Sequence, residues 1–187
     1  MIIKPFLHIE IEEVNSYLVA SEITRDAVII DAGGFDVSLL DFVNENKLNV
    51  RKLFITHEHY DHTGSVPYLF DNFPNLQLVA LRFEHGKTVV KPVDGERFML
   101  GDHIGYINHL PGHTEDMITI YLDGHLFTGD VLFAGSVGGT SSKENFKRQI
   151  EGIQSKLLIY PDETIIHPGH GSESTVGIER MFNPFLC

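Results

Sequence analysis

The chain has 187 residues, of which 42% are hydrophobic and 21% are charged, and its formal net charge is −12. These proportions are typical of a globular protein, and a chain of this length can bury about 70% of its unfolded surface. We therefore expect a single domain, residues 1–187. The acidic charge argues against a nucleic-acid partner and against a polybasic membrane anchor, because both need clustered basic residues.

The only cysteine is Cys187, so the sequence excludes a disulfide within one chain. No apolar run reaches the length of about 20 residues that a membrane-spanning helix needs. The N-terminal residues lack the basic and then apolar layout of a signal peptide, which predicts a cytoplasmic location. Eleven histidines are many for an acidic chain and direct attention to a metal site.

Apolar runs rich in β-branched residues alternate with amphipathic stretches along the chain. The runs that predict strands span residues 14–20, 27–31, 50–56, 76–83, 96–100, 104–110, 117–122 and 164–167. The stretches that predict helices span residues 38–47, 142–159 and 176–182. Ser142 is the expected N-cap of the second helix, and Asp123-Gly124 predicts a hairpin turn. Strands and helices mixed in this order predict an α/β architecture with helices outside layered sheets.

The strongest chemical signal is the segment Thr56-His57-Glu58-His59-Tyr60-Asp61-His62, which begins where an apolar strand ends. Residues two apart in an extended segment point to the same side, so His57 and His59 can bind one ion together. Asp61 and His62 follow as the chain turns, where they can face a second position. Imidazole and carboxylate are ligands that zinc, manganese and iron accept.

Three more candidate ligands lie downstream, each near a strand end that a turn follows, where loops carry function. They are His113 after Pro111-Gly112, Asp130 after Thr128-Gly129, and His170 after Pro168-Gly169. Each alone is a weak signal, but the order HxHxDH, His, Gly-Asp and Gly-His is much more specific.

The remaining histidines are interpreted differently. His167 lies on an apolar strand before a proline, and we interpret it as a structural histidine with satisfied hydrogen bonds. Five others have no ligand spacing and are interpreted as surface residues or as partners of the ligands: His8, His85, His103, His109 and His125.

The ligand order resembles that of the metallo-β-lactamase superfamily, and specifically its glyoxalase II-like hydrolases. The resemblance covers nearly the whole chain and includes Asn15-Ser16-Tyr17, Ile30-Asp31-Ala32-Gly33-Gly34, residues 126–135 and Asn183-Pro184-Phe185-Leu186. It implies a four-layer αβ/βα sandwich, in which two mixed β-sheets are flanked by helices and a dinuclear site lies along one edge.

The resemblance also implies the ligand set. The ligands would be His57, His59 and His113 for the first metal, and Asp61, His62 and His170 for the second. Asp130 would bridge both ions, and Asp31 is similar to the aspartate that orients ligand loops in this family. Two divalent ions per chain are implied; we expect zinc, and the same ligands accept iron or manganese.

Two dications about 3.5 Å apart can share a hydroxide and make it available as a nucleophile at neutral pH. The chain is therefore predicted to hydrolyse a small-molecule thioester or ester, with Asp61 and Asp130 as the catalytic ligands. The alternatives are a mononuclear iron persulfide dioxygenase, which uses two histidines and an aspartate, a lactonase, and a metal-binding module without catalysis.

The resemblance is incomplete on the substrate side. Typical glyoxalase II enzymes carry a C-terminal helical domain that helps to hold glutathione, and the sequence lacks it. They also tend to place a basic residue and an aromatic one where this chain has Gly139 and Ser141. Lys143 and Lys147 lie nearby, but we interpret them as the solvated face of the helix at 142–159. We therefore expect weak activity on S-lactoylglutathione, while the physiological substrate, native metal and oligomeric state stay open.

Overall fold

The computed structural model describes residues 1–34, 36–83 and 89–187, which form two six-stranded sheets and a small hairpin. The first sheet contains, in spatial order, β1 (Ile2–His8), β2 (Val14–Ala20), β3 (Asp26–Ile30), β4 (Asn49–Phe54), β5 (Gln77–Val79) and β6 (Val89–Val90). The second contains β14 (Ser174–Thr175), β13 (Ile165–Pro168), β10 (His125–Gly129), β9 (Ile118–Leu122), β8 (His103–His109) and β7 (Glu96–Leu100). The hairpin consists of β11 (Leu132–Phe133) and β12 (Ser136–Val137).

The described residues contain six helical elements. They are α1 (Val37–Glu45), α2 (Tyr60–Thr63), α3 (Val66–Asn72), α4 (Lys143–Gly152), a π-helical turn (Ile153–Leu157) and α5 (Val176–Phe182). None of the helices in the described part of the chain is both long and apolar enough to span a membrane.

Three apolar cores separate the four layers. One core lies between the first sheet and α1 and α3, and a second lies between the two sheets. The third lies between the second sheet and the π-helical turn and α5. In β2, Leu18 belongs to the first core and Val19 to the second, so every residue of this strand is buried. These layers confirm the predicted αβ/βα sandwich.

Both sheets are mixed, as predicted. The strands from β3 to β6 run parallel, whereas β1, β2 and β3 pair antiparallel. In the second sheet only β10 and β13 are parallel neighbours. The parallel pairs bring the carboxyl ends of β3 and β4, and those of β10 and β13, to the same edges of their sheets.

The strand predicted at 76–83 was too long. The observed strand β5 stops at Val79, because its partner β6 has only two residues and pairs with Leu78 and Val79. Strand β1 and the two short helices α2 and α3 were not predicted from the residue pattern. Strand β1 is an edge strand that contains Pro5, which an edge tolerates because the missing N–H leaves no ladder bond broken.

The helix predicted at 142–159 is two elements. The side chain of Ser142 caps α4 as expected, accepting a hydrogen bond of 3.1 Å from the Asn145 N–H. The α-helix ends at Gly152, and a π-helical turn replaces the predicted continuation. Gly152 packs directly on Leu110, where an added Cβ would lie 2.9 Å from the Leu110 side chain. The long-range packing that shapes this junction is invisible in the local pattern.

Candidate metal centre

The predicted ligands come together at the edge where the strands of both sheets end. The segment from Thr56 to His62 follows β4, Asp130 follows β10, and His170 follows β13. His113 lies in the loop between β8 and β9. Clefts outside the carboxyl ends of parallel strands are common ligand sites in α/β folds, because loops from several strands meet there.

Asn15 and Tyr17 of β2 tie the two sheets together at this edge. The Asn15 N–H donates to the Gly169 carbonyl at 2.7 Å, and its side-chain amide donates to the Pro168 carbonyl at 3.1 Å. The Tyr17 hydroxyl donates to the same Pro168 carbonyl at 2.7 Å. These bonds hold the segment that carries His170 against the first sheet.

His57, His59 and His113 form the first group of potential metal donors. The Nε2 of His57 lies 3.0 Å from the Nδ1 of His59, which lies 3.1 Å from the Nε2 of His113. Three imidazole nitrogens that face one another at these distances suit one metal ion. The spacing of His57 and His59 had predicted that they face the same side, and they do.

Asp61, His62, Asp130 and His170 form the second group. The Nε2 of His170 lies 3.1 Å from the Oδ2 of Asp61, and the Nε2 of His62 lies 3.5 Å from the same oxygen. The carboxylate of Asp130 also faces the first group: its Oδ1 is 3.2 Å from His62 Nε2, and its Oδ2 is 3.7 Å from His113 Nε2. A carboxylate in this position can contact ions in both groups.

Three of the candidate histidine ligands form a hydrogen bond through the ring nitrogen that points away from the centre. The Nδ1 atoms of His57, His113 and His170 lie 3.1 Å, 2.7 Å and 3.0 Å from the Thr56 hydroxyl, the Gly139 carbonyl and the Glu12 carbonyl, respectively. Because a hydrogen bond at Nδ1 selects the tautomer, the lone pair of Nε2 is left free to bind a metal ion. The rings therefore face the centre before any ion binds.

Asp31 performs the same task for His62, as predicted. Its carboxylate accepts hydrogen bonds of 2.8 Å from the Thr56 N–H, the Thr56 hydroxyl and the His62 Nδ1. Asp31 has a φ of 59°, an uncommon conformation for a residue with a side chain, and it is almost fully buried. Its local strain is offset by the three hydrogen bonds that it accepts.

The donor set fits a bound cation. Two of its buried atoms, His62 Nε2 and Asp130 Oδ1, make no hydrogen bond although they lie 3.2 Å apart. Burial lowers the pKa of His62, but Asp31 and Asp130 outweigh it and raise this pKa to about 10. Burial lowers the pKa of His57 to about 2, which keeps this imidazole neutral. A positive charge is thus favoured beside the carboxylates, and neutral imidazoles are ready to bind a metal.

Residues 10–81 and 76–170 match the family model described as the metallo-beta-lactamase superfamily. The chain belongs to the metallo-β-lactamase superfamily. GloC of Haemophilus influenzae, a hydroxyacylglutathione hydrolase, is 33% identical over 193 residues that cover 87% of this chain and 88% of the relative. The crystal structure of ETHE1 from Myxococcus xanthus has a TM-score of 0.87, with 28% identity over 98% of this chain and 84% of that one. The di-iron-bound form of TTHA1623 has a TM-score of 0.79, with 28% identity over 98% and 100%.

Membership of the metallo-β-lactamase superfamily confirms the predicted family and indicates a metal-dependent hydrolase that uses divalent ions. The carbonyls of Gly139 and Glu12 were missed by the sequence analysis. A main-chain carbonyl has no residue-type signal, so only the folded chain shows which histidine it contacts.

His167 belongs to neither donor group. It is 3% exposed and stacks on Phe127, and its Nε2 lies 2.9 Å from the Nδ1 of His125. The Nδ1 of His167 lies 2.9 Å from a carboxylate oxygen of Glu173. Among the other histidines set aside, His8 contacts Ser16, while His85 lies outside the described residues.

Acid should destabilise the protein through His167. Burial, with a smaller contribution from His125, lowers the pKa of His167 from 6.5 to about 4. Below pH 6.5 the unfolded chain therefore binds the proton more readily, and the free energy of unfolding falls as the pH falls toward 4. Between pH 7 and pH 5 this contribution amounts to about 2 kcal/mol.

We expect His167→Phe to lose this part of the pH dependence in denaturant unfolding at pH 7 and pH 5, and to keep its metal. His170→Ala serves as the contrast and should lose metal. Parallel pH profiles for wild type and His167→Phe, or equal metal loss in both variants, would show that His167 has been assigned wrongly.

Proposed function

We propose that the chain is a dinuclear hydrolase of a small thioester or ester. The observation that carries this proposal is that Asp130, a member of the second donor group, also faces His113 of the first. In the proposed assignment His57, His59 and His113 would hold the first ion, Asp61, His62 and His170 would hold the second, and Asp130 would contact both. When bound, two such ions supply a hydroxide at neutral pH and polarise the substrate carbonyl.

The residues of the chain would hold the ions in place and fix the orientation of the ligands. Asp61 and Asp130 act as the catalytic ligands, since their carboxylates balance the charge of the ions. Asp31 keeps His62 in one orientation through its bond of 2.8 Å. No serine or cysteine nucleophile is needed for this chemistry, because the hydroxide would be the nucleophile.

The surface beside the centre favours substrates without negative charge. A groove adjoins the donors and is lined by Glu10, Ile11, Glu12, His59, Tyr60 and Asp61. Two of the carboxylates, Glu10 and Glu12, belong to the loop between β1 and β2. Lys147 is exposed and lies 3.7 Å from Glu151 one helical turn away, in agreement with a solvated helix face. An anionic glutathione tail would therefore meet acidic groups on this side.

The similarity to GloC adds a second argument on the substrate. This relative is named a hydroxyacylglutathione hydrolase, and 88% of its length aligns with this chain. The aligned length therefore does not decide against a glutathione thioester. The expected kcat/KM for such a thioester depends instead on Gly139 and Ser141, which stand where typical glyoxalase II enzymes have a basic and an aromatic residue.

We expect S-lactoylglutathione to be hydrolysed with a kcat/KM below about 10⁴ M⁻¹s⁻¹, the lower end of the usual range. A smaller thioester with an uncharged thiol should do as well or better. Gly139→Arg should raise kcat/KM for S-lactoylglutathione at least threefold more than for the small thioester. An arginine can be accommodated because nothing lies within 4 Å of a Cβ added at Gly139. A wild-type value of about 10⁶ M⁻¹s⁻¹ on S-lactoylglutathione would contradict this expectation.

Metal content and products test the function itself. We propose two zinc ions, with iron as the alternative because the similar TTHA1623 has a di-iron-bound form. Elemental analysis of protein purified without added metal should find two ions per chain. An activity assay on the same protein should then show thioester cleavage. One iron with oxygen consumption would favour the persulfide dioxygenase, and lactone opening without thioester cleavage would favour a lactonase. The single-domain organisation and the cytoplasmic location stay predictions of the sequence.

A further inference from the structure

The closing motif Asn183-Pro184-Phe185-Leu186 has no place in the donor groups, yet its asparagine is 1% exposed. The Asn183 side-chain amide donates to the Ser136 carbonyl at 3.1 Å and to the Oε2 of Glu179 at 2.7 Å. The end of α5 is therefore fastened to the hairpin of β11 and β12, more than 40 residues earlier in the chain.

Glu179 is the centre of this connection. It is 1% exposed, and its Oε1 accepts a hydrogen bond from the Ser174 hydroxyl at 2.5 Å. Its Oε2 accepts from the Gly135 N–H at 2.9 Å as well as from Asn183. Throughout the described ranges, no Lys, Arg or His side chain forms an ion pair with it. Burying a carboxylate without a cation is unfavourable, so donors from three segments must stabilise it together.

The segments that Glu179 joins are those that carry two of the candidate ligands. Gly135 is the turn of the hairpin that follows Asp130, and Ser174 lies four residues after His170. The ring of Phe133, in the same hairpin, meets the ring of His170 edge-on, with 6.2 Å between centroids. Glu179 thus connects the Asp130 segment with the His170 segment without touching either ligand.

The first donor group depends on other contacts. The Gln149 side-chain amide of α4 donates to the Gly138 carbonyl at 2.8 Å, next to the Gly139 carbonyl that holds His113. We expect this bond to keep that end of the hairpin anchored when the bonds to Gly135 are removed. Glu179 should therefore affect the two groups unequally.

We propose that Glu179 is a positioning residue that sets the separation of Asp130 and His170 and thereby the affinity of the second metal site. This assignment rests on one part of the proposed function, namely that these donors bind a metal ion. The bonds of Glu179 to Gly135 and Ser174 hold the two ligand segments at a fixed separation. Loss of these bonds lets the two segments separate, which a metal site tolerates poorly.

The test measures Co²⁺ binding to metal-free protein by visible absorption, in two backgrounds. His113→Ala leaves the second site, and His170→Ala leaves the first. Glu179→Leu should weaken Co²⁺ binding by about tenfold in the first background, the lower end of the range for direct partners of metal ligands, because Glu179 acts through the ligand segments. In the second background it should weaken binding by less than threefold. Glu179→Gln should restore most of the affinity, because its amide oxygen can still accept from Gly135 and Asn183.

Arg180→Gln is the matched control on the same helix. Arg180 binds the Tyr160 carbonyl at 2.9 Å and also Asp162, so its loss loosens α5 without reaching the hairpin. It should lower the melting temperature and leave both affinities unchanged. If Glu179→Leu fails to fold, Ser174→Ala removes one of the three bonds and should weaken the second site alone, by threefold or more.

Equal weakening of both sites in the Glu179 and Ser174 variants, or no weakening, would overturn the assignment and leave a purely structural role. The outcome is separable from that of the proposed function. Wild-type protein that binds two ions but cleaves no thioester or ester overturns the hydrolase proposal, while the affinity ratios still test Glu179.

Discussion

Asp130→Ala is expected to lower kcat/KM for thioester hydrolysis by about a thousandfold or more. Its carboxylate lies 3.2 Å from His62 Nε2 and 3.7 Å from His113 Nε2, so one substitution removes a charged ligand from both proposed ions. A thousandfold loss corresponds to about 4 kcal/mol of transition-state stabilisation. That amount is in the range expected when a metal centre is disrupted.

Initial-rate kinetics and elemental analysis of the same preparation check this expectation. Asp41→Ala, at an exposed position of α1, is the control and should stay within twofold of wild type. Asp130→Asn should fall between wild type and Asp130→Ala, since it keeps one oxygen but no charge. An Asp130→Ala variant that retains two ions and a tenth of the activity would show that Asp130 does not bridge them.

Gly169→Ala is expected to disrupt the second donor group without changing a ligand. A Cβ added at Gly169 would lie 2.3 Å from Asp130 Oδ1 and 2.7 Å from a ring carbon of His62. The backbone cannot retreat easily, because the Gly169 N–H donates to Gly129 at 2.9 Å and its carbonyl accepts from Asn15 at 2.7 Å. Asp130 and His62 must therefore move apart.

A displacement of about 1 Å at a catalytic centre can reduce the rate about a hundredfold, and we expect at least that loss. The free energy of unfolding should fall by about 1–3 kcal/mol from overpacking. Gly139→Ala is the control, since its Cβ would meet nothing within 4 Å. Metal content, denaturant unfolding and kcat/KM are measured for both. A Gly169→Ala variant with two ions and full activity would mean that the donors are arranged differently.

The candidate ligands could be predicted because their signal is local. His57 and His59 are two apart in an extended segment, and Asp130 and His170 each follow a strand whose end the sequence indicates. The supporting role of Asp31 was expected from the family resemblance and not from the residue pattern alone. Strand β2 and helix α5 were predicted with their observed ends, because their apolar patterns are uninterrupted.

The parts that could not be predicted depend on contacts between distant segments. The Glu12 carbonyl reaches His170 across 158 residues, and the bond between Gly135 and Glu179 spans 44. The π-helical turn follows Gly152, where packing on Leu110 shapes the junction. Such contacts arise from tertiary packing, and the local residue pattern carries no record of them.

In the proposed centre, two divalent ions occupy the two donor groups and share Asp130. Anomalous diffraction from crystals of protein purified without added metal tests this most directly, at the absorption edge of the metal found by elemental analysis. We predict two peaks about 3.5 Å apart, one among the first group of histidines and one beside His62 and His170, with Asp130 contacting both. A single peak, or a pair of peaks with Asp130 bound to only one, would contradict it.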